Sequence, residues 1–424
     1  MKSLAERDIE FVWHPFTHQK NIEMPIGIVK GEGSYLIAEN GDRFLDAVSS
    51  WWVNIHGHAN AYIAEKVSEQ LKTLEHVIFA GFTHEPAVKL AERLLQHLPE
   101  KFTKVFYSDN GSTAVEVGMK MALQYFYNRK VERNAILAFE DAYHGDTFGA
   151  MAAGDRSVFT QAFHPMLFDV CRIPLPVAGR EDESLTIFEK FVNEKNPAAF
   201  VFEPLILGAG GMLMYDASTL DKMIAICKEN NVITIADEVM TGFYRSGKFF
   251  ATDYLKNKPD IICLSKGITG GTMAMGVTVC TSEIHNAFLS DDKTHTFYHG
   301  HSYTANPLAC AAANASMDLL EKTDCMNNID MICNAQKNFV EEIKNHSFLT
   351  DARCVGTIAA FEIKSGEETS YLNNIRDRAY TFFLERKIIL RPLGNVIYIL
   401  PPYCFTQKQM GEVHNAVKDF LNQL

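Results

Sequence analysis

Asp237 and Lys266, each set just past a short apolar run, are the residues of this chain whose types and spacing point to covalent chemistry. The runs, residues 232–236 and 261–264, read as buried parallel strands. Open α/β sheets bind ligands beyond the carboxyl ends of such strands, so both side chains are expected to face one crevice. The glycine-rich turn after the lysine lets a ligand approach the backbone there. A lysine amine can condense with an aldehyde, and a carboxylate can keep a pyridine nitrogen protonated and preserve the ring as an electron sink. That combination suits pyridoxal phosphate. An Asp and a Lys taken at random more often form a surface salt bridge. A lysine that directly follows a buried strand, however, is costly unless it is neutralised or used covalently.

The segments carrying these two residues, ADEVMTGFYRSGKFFA and LSKGITGG, resemble the class III aminotransferases of the fold-type I pyridoxal-phosphate enzymes. In that family an ADE segment supplies the aspartate and an SKG segment the lysine. The resemblance implies a transaminase of α/β class, with a large domain built on a mostly parallel seven-stranded sheet flanked by helices and a smaller α+β domain. Residues 1–50 would form the N-terminal part of the small domain, 51–305 the large cofactor-binding domain and 306–424 the C-terminal part of the small domain.

Composition agrees with a large globular enzyme. A chain of 424 residues is too long for one simple core and long enough to bury a deep site. A net charge of −12 without a long acidic run gives no nucleic-acid footprint and no anionic-membrane patch, so the expected partner is a small molecule. No stretch has the length of apolar sequence that a membrane span needs, and the N-terminus lacks an apolar signal core. The nine cysteines are scattered without a CxxC pair, which reads as reduced thiols. The expectation is a soluble cytoplasmic protein.

The elements that must position the site follow in order. Residues 24–48 read as a meander of short strands with turns at 31–33 and at Asn40-Gly41. In SSWW, read as extended chain, the adjacent tryptophans point to opposite faces, so one packs while the other lines an opening. Helices are expected over 63–74 and 87–98, and a strand over 104–108. The following SDNGST turns through Asn110-Gly111 into a helix beginning at about Ser112, and the free amides of such a helix start suit a phosphate. Strands at 135–140 and 199–202 lead to DAYHGDTFGAM and to Glu203, a candidate carboxylate behind the cofactor. Residues 155–180 read as a long irregular loop. The glycines of GAGG lack the order a dinucleotide fingerprint requires. His295, His299 and His301 have no carboxylate or thiol to complete a metal set, so no metal is assigned. After a strand at 277–280 and a helix at 306–321, the C-terminal part alternates helices (331–344, 375–386, 407–424) with strands (355–363, 388–390, 396–400).

The resemblance carries further residues. It places the cofactor phosphate at Gly111 and Ser112, lays Tyr143 against the ring, and has Gly300, His301 and Ser302 reach a partner's phosphate across a homodimer interface. His144 is read as a general base only weakly, since the displaced lysine is itself placed to move the proton. WHPFTHQK, SSWWVNIHGH and RPLGNVIYILPPY are similar to the biotin-pathway branch of the family, which converts 8-amino-7-oxononanoate to 7,8-diaminononanoate, commonly with S-adenosylmethionine as donor. By that likeness Trp51, Tyr143, Asp146, Arg245, Arg391 and Tyr398 contact substrate, with Phe16, Trp52 and Gly300 beside them, and Arg391 grips a carboxylate as a bidentate fork. Two departures bear on the donor. Phe16 stands where a tyrosine is common, and HGHS where a Pro-Thr pair is frequent, the latter a form seen in relatives that use lysine. Lysine as donor, and a general ω-amino acid or ornithine-type aminotransferase, are the alternatives. Tyr244, where glycine is frequent, is expected to narrow the pocket beside Arg245.

Overall fold

A computed structural model describes residues 2–365 and 375–424. Its centre is a seven-stranded sheet in the order Phe102–Ser108, Gly276–Thr281, Ile261–Leu264, Ile233–Asp237, Ala199–Phe202, Ile136–Phe139, Cys171–Ile173. Gly276–Thr281 runs antiparallel to both neighbours, and the pairings among the last five strands are parallel. The four inner parallel strands are buried along their whole length, which is why they read as continuous apolar runs rather than as alternating ones. Helices such as Gly111–Asn128 and Ala217–Glu229 close the sheet with apolar stripes.

The N-terminal meander Ile28–Glu32, Tyr35–Ala38 and Arg43–Asp46 is joined in parallel by the C-terminal strand Ile388–Ile389, so the two ends of the chain share one sheet. A further sheet consists of Leu349–Val355, Ile358–Ile363 and Val396–Ile399. The last two short strands of the sequence therefore serve different sheets.

Four expectations need correction. Residues 155–180 are not one loop: Gln161–Met166 is a 3-10 turn, and Cys171–Ile173 is the edge strand of the main sheet, too short to show a period. The strand expected at 355–363 is the second arm of a hairpin whose first arm, Leu349–Val355, alternates weakly because it is half exposed. The helix expected from 331 begins at Thr323. Ser49–Trp52 is not extended; it is a kinked turn with positive φ at Ser49, Ser50 and Trp52. The tryptophans still diverge, with Trp52 buried (7% exposed) and Trp51 open (43%), but the twisted turn does this rather than strand alternation.

Candidate active site

Asp237 is the last residue of its strand and pairs in register with Cys263 of the adjacent parallel strand. Lys266 follows that neighbour by two residues and begins a 3-10 turn with a left-handed φ of 47°. The two side chains thus share one end of the sheet. Burial lowers the Lys266 amine from its ordinary value and Arg245 lowers it further, against the opposing pull of Asp237 and Glu203. Lys266 enters no ion pair among the described residues, and its Nζ lies over the Trp52 ring, 4.7 Å from the centroid. Desolvation of an amine without an ion pair shifts it toward its neutral, nucleophilic form.

Asp237 is fixed from behind. Its Oδ2 lies 2.8 Å from His144 Nδ1, its Oδ1 accepts from Val239 N at 3.1 Å, and both Asp237 and His144 are buried. His144 Nε2 is buried without a partner. Glu203, also buried, accepts from the Tyr143 amide (3.0 Å) and the Gly208 amide (2.8 Å). Burial, with Asp237 nearby, pushes the Glu203 carboxyl up to about 7, against an opposing pull from His144. Tyr143 is partly exposed, and its hydroxyl is raised by burial and by Asp146.

The helix Gly111–Asn128 starts next to these groups. Its cap is Asn110, whose side chain accepts from Thr113 N, so the helix begins at Gly111. Ser112 accepts from Thr147 N at 3.0 Å. The first amides of the helix have no acceptor within it. A Cβ on Gly111 would stand 2.7 Å from Val239 and 3.5 Å from Ser265, residues that flank Asp237 and Lys266, so the helix start abuts both strand ends. Gly145, at φ 128°, closes the other side, where a Cβ would fall 2.0 Å from Ser112 Oγ. Glu116, one turn into the helix, accepts from Thr147 Oγ1 and from the Gly149 and Ala150 amides and ties the YHGDT loop in place.

A second set of residues forms the approach. Phe16 stacks on Trp51 at 5.9 Å, and the Arg391 guanidinium lies 4.3 Å from the Trp51 ring. Trp52 Nε1 donates to the Tyr398 hydroxyl at 3.0 Å. Arg245 is fully buried, donates to the carbonyls of Pro401 (2.7 Å) and Trp52 (3.4 Å), and keeps Nε without a partner. The Tyr244 ring packs edge-on against Phe249. Gly300, His301 and Ser302 make a local turn in which His301 N donates to Thr304 Oγ1, and His301 Nε2 is buried without a partner.

The residues fit a phosphorylated pyridine aldehyde. An amine without an ion pair, a carboxylate fixed from behind, and open helix-start amides in a glycine-walled recess match aldehyde, ring nitrogen and phosphate respectively. A groove of about 590 Å³ between the meander and the helix Ile375–Glu385 has no comparable set; its Lys387 is tied to Asp42. What sequence reasoning undervalued is His144, and what it missed is Thr147 and Glu116. Their partners lie 93, 35 and 31 positions away, and no local pattern marks them. Among the described residues no helix is long and apolar enough to cross a membrane.

The chain is similar to known proteins over nearly its whole length. The model of the family described as aminotransferase class-III matches residues 16–421. Two curated relatives are named adenosylmethionine-8-amino-7-oxononanoate aminotransferase: one from Synechococcus elongatus, 45% identical over 97% of this chain and 99% of its own, and one from Helicobacter pylori, 35% identical over 100% and 98%. A crystal structure of the enzyme of that name from Methanocaldococcus jannaschii superposes with a TM-score of 0.93 at 35% identity, covering 99% of this chain and 98% of the other. With an amine and a carboxylate at adjacent strand ends and a family match over nearly its whole length, this chain belongs to the class III aminotransferases.

Proposed function

We propose that the chain is a pyridoxal-phosphate-dependent aminotransferase that converts 8-amino-7-oxononanoate to 7,8-diaminononanoate, with S-adenosylmethionine as the favoured donor. The observation that carries the chemistry is the desolvated Lys266 amine beside Asp237. The substrate reading draws on the relatives' names and on the open Phe16–Trp51–Arg391 stack, which presents an arginine to a carboxylate.

When bound, the cofactor supplies an aldehyde and an electron-accepting ring. The chain's own residues do the rest. Lys266 Nζ, shifted by burial toward its neutral form, takes up the proton from the amino donor's Cα and passes it on. Asp237, backed by His144, would hold positive charge at the ring nitrogen, and the Gly111 and Ser112 amides would hold the phosphate. Tyr143, its amide held by Glu203, would cover the ring face. By likeness Asp146, Arg245 and Tyr398 serve the substrate beside Trp52, which lies under Lys266 and bonds Tyr398, while Arg391 on the Trp51 platform would receive the carboxylate.

We further place the chain in a homodimer, with Gly300, His301 and Ser302 serving the partner's site. In support, the isolated chain exposes 19749 Å², whereas a folded monomer of 47.7 kDa exposes about 16,000 Å². All nine cysteines are free, which fits the reducing cytoplasm.

Lysine is a second reading of the donor, favoured by the missing hydroxyl at Phe16 and by the HGHS turn. The test is to supply 8-amino-7-oxononanoate with either donor and measure diamine. Diamine from S-adenosylmethionine supports the reading, and diamine from lysine alone replaces the donor. Turnover of 2-oxoglutarate with no diamine from either donor replaces the substrate with that of a general ω-amino acid or ornithine-type enzyme.

A further inference from the structure

The double tryptophan rides on backbone that its residue types avoid. Ser49, Ser50 and Trp52 have φ of 51°, 58° and 66°, and Ser50 combines this with a ψ of −96°. Non-glycine residues in such conformations are strained, and they persist where their surroundings over-determine them. Here one carboxylate supplies much of the restraint. Asp46 ends the strand Arg43–Asp46, is fully buried, and accepts from Val48 N (3.2 Å), Ser50 N (2.7 Å), Ser50 Oγ (3.0 Å) and His58 Nε2 (2.9 Å). The far side of the His58 ring is held by Asn54, with Nδ2 3.1 Å from Nδ1. Ser49 Oγ pins the turn to the Leu400 carbonyl at 2.8 Å.

The turn sends two consecutive rings to two different tasks. Trp52 goes inward, under Lys266 Nζ and against Tyr398, and its carbonyl receives Arg245. Trp51 goes outward and carries Phe16 on one side and Arg391 alongside. Strand alternation would also send the two rings to opposite faces, but here the twisted turn does so, and its backbone sets where each ring stands.

We propose that Asp46 is a positioning residue for the reaction: by clamping the left-handed Ser49–Trp52 turn it fixes, together, the ring that faces Lys266 and the ring that carries Arg391. The proposal rests on the function given above only for its kinetic arm. The two tryptophans report on it without substrate.

The test uses the holoenzyme and its Asp46→Asn, Asp46→Ala and Asp46→Ala/Ser50→Gly variants. Near-ultraviolet circular dichroism of the tryptophans is recorded with and without cofactor, together with KM and kcat for the acceptor and the thermal midpoint. Loss of charge-assisted hydrogen bonds in Asp46→Ala is expected to raise KM about tenfold and to change the tryptophan dichroism. Glycine at position 50 meets no Cβ penalty in a left-handed conformation, so it is expected to recover most of the KM and dichroism but not the thermal midpoint. Unchanged KM and dichroism with a lowered midpoint in both single variants would overturn the proposal, as would a failure of Ser50→Gly to recover either signal. Should Asp46→Ala fail to fold, Asp46→Asn, with and without Ser50→Gly, carries the same comparison. If wild type does not turn over 8-amino-7-oxononanoate, the substrate reading falls, while the dichroism still decides the role of Asp46.

Discussion

His144 Nδ1 lies 2.8 Å from Asp237 Oδ2, and both side chains are buried. The carboxylate proposed to face a ring nitrogen is thereby held in orientation by His144 on one oxygen and the Val239 amide on the other. His144→Ala removes a hydrogen bond to a charged group, worth about 2 kcal/mol, and is expected to lower kcat roughly thirtyfold with a smaller effect on KM. His144→Gln, which can still donate to Asp237, should recover part of the loss. Steady-state kinetics on the three proteins check this.

Lys266 is an amine whose pKa is lowered by burial. The sign follows from linkage: below the folded value the buried site must carry a charge that it disfavours, so the lysine destabilises the cofactor-free fold at neutral pH, and the penalty disappears only above the unfolded value near 10.5. Lys266→Met in the cofactor-free protein is therefore expected to raise the thermal midpoint at pH 7 while abolishing turnover. Thermal unfolding at pH 7 and at pH 10.5 separates the two effects, since the gain should shrink at the higher pH.

Glu203 gives the opposite pH signature for a carboxyl. Its pKa rises from 4.5 to about 7 on folding, so the folded state holds the proton more tightly. The stability this contributes is fully present below about 4.5 and is lost as pH rises through about 7. Glu203→Gln cannot ionise, and its midpoint should fall less steeply than that of wild type between those two values. Parallel midpoint curves for the two proteins would refute the assignment.

Arg391 lies against the Trp51 ring at 4.3 Å. A cation–π contact of this kind contributes about 1 kcal/mol, so Trp51→Ala is expected to raise KM for a carboxylate acceptor about fivefold. Arg391→Lys should not restore wild-type KM, because an ammonium lacks the planar fork. An acceptor without a carboxylate should be indifferent to both changes.

Gly145 sits at φ 128°, with Ser112 Oγ where its Cβ would be. Gly145→Ala is expected to push the YHGDT loop off the start of the Gly111–Asn128 helix and to weaken cofactor binding at least about tenfold. Equilibrium dialysis against pyridoxal phosphate measures this.

Much of the site was legible because parallel strands buried on both faces announce themselves as apolar runs, and the polar residue at the end of each run then stands out. Asp237, Lys266 and Glu203 stand out as candidates in that way, and the Gly111 turn from strand, glycine and helix in succession. Arg391 and Phe16 were found by likeness alone. Short or half-exposed elements were not legible: Cys171–Ile173 has three residues, and Leu349–Val355 is only partly buried. The restraints behind the reactive groups also escaped. His144, Glu116 and Asp46 act through partners fixed by tertiary folding or by backbone φ, neither of which leaves a period in the sequence.

The most direct measurement is to load the protein with pyridoxal phosphate, reduce it with borohydride and map the modified peptide by mass spectrometry. The account predicts a phosphopyridoxyl group on Lys266 and none in Lys266→Ala. A label on another lysine, or the same labelled peptide pattern in the variant, would contradict it.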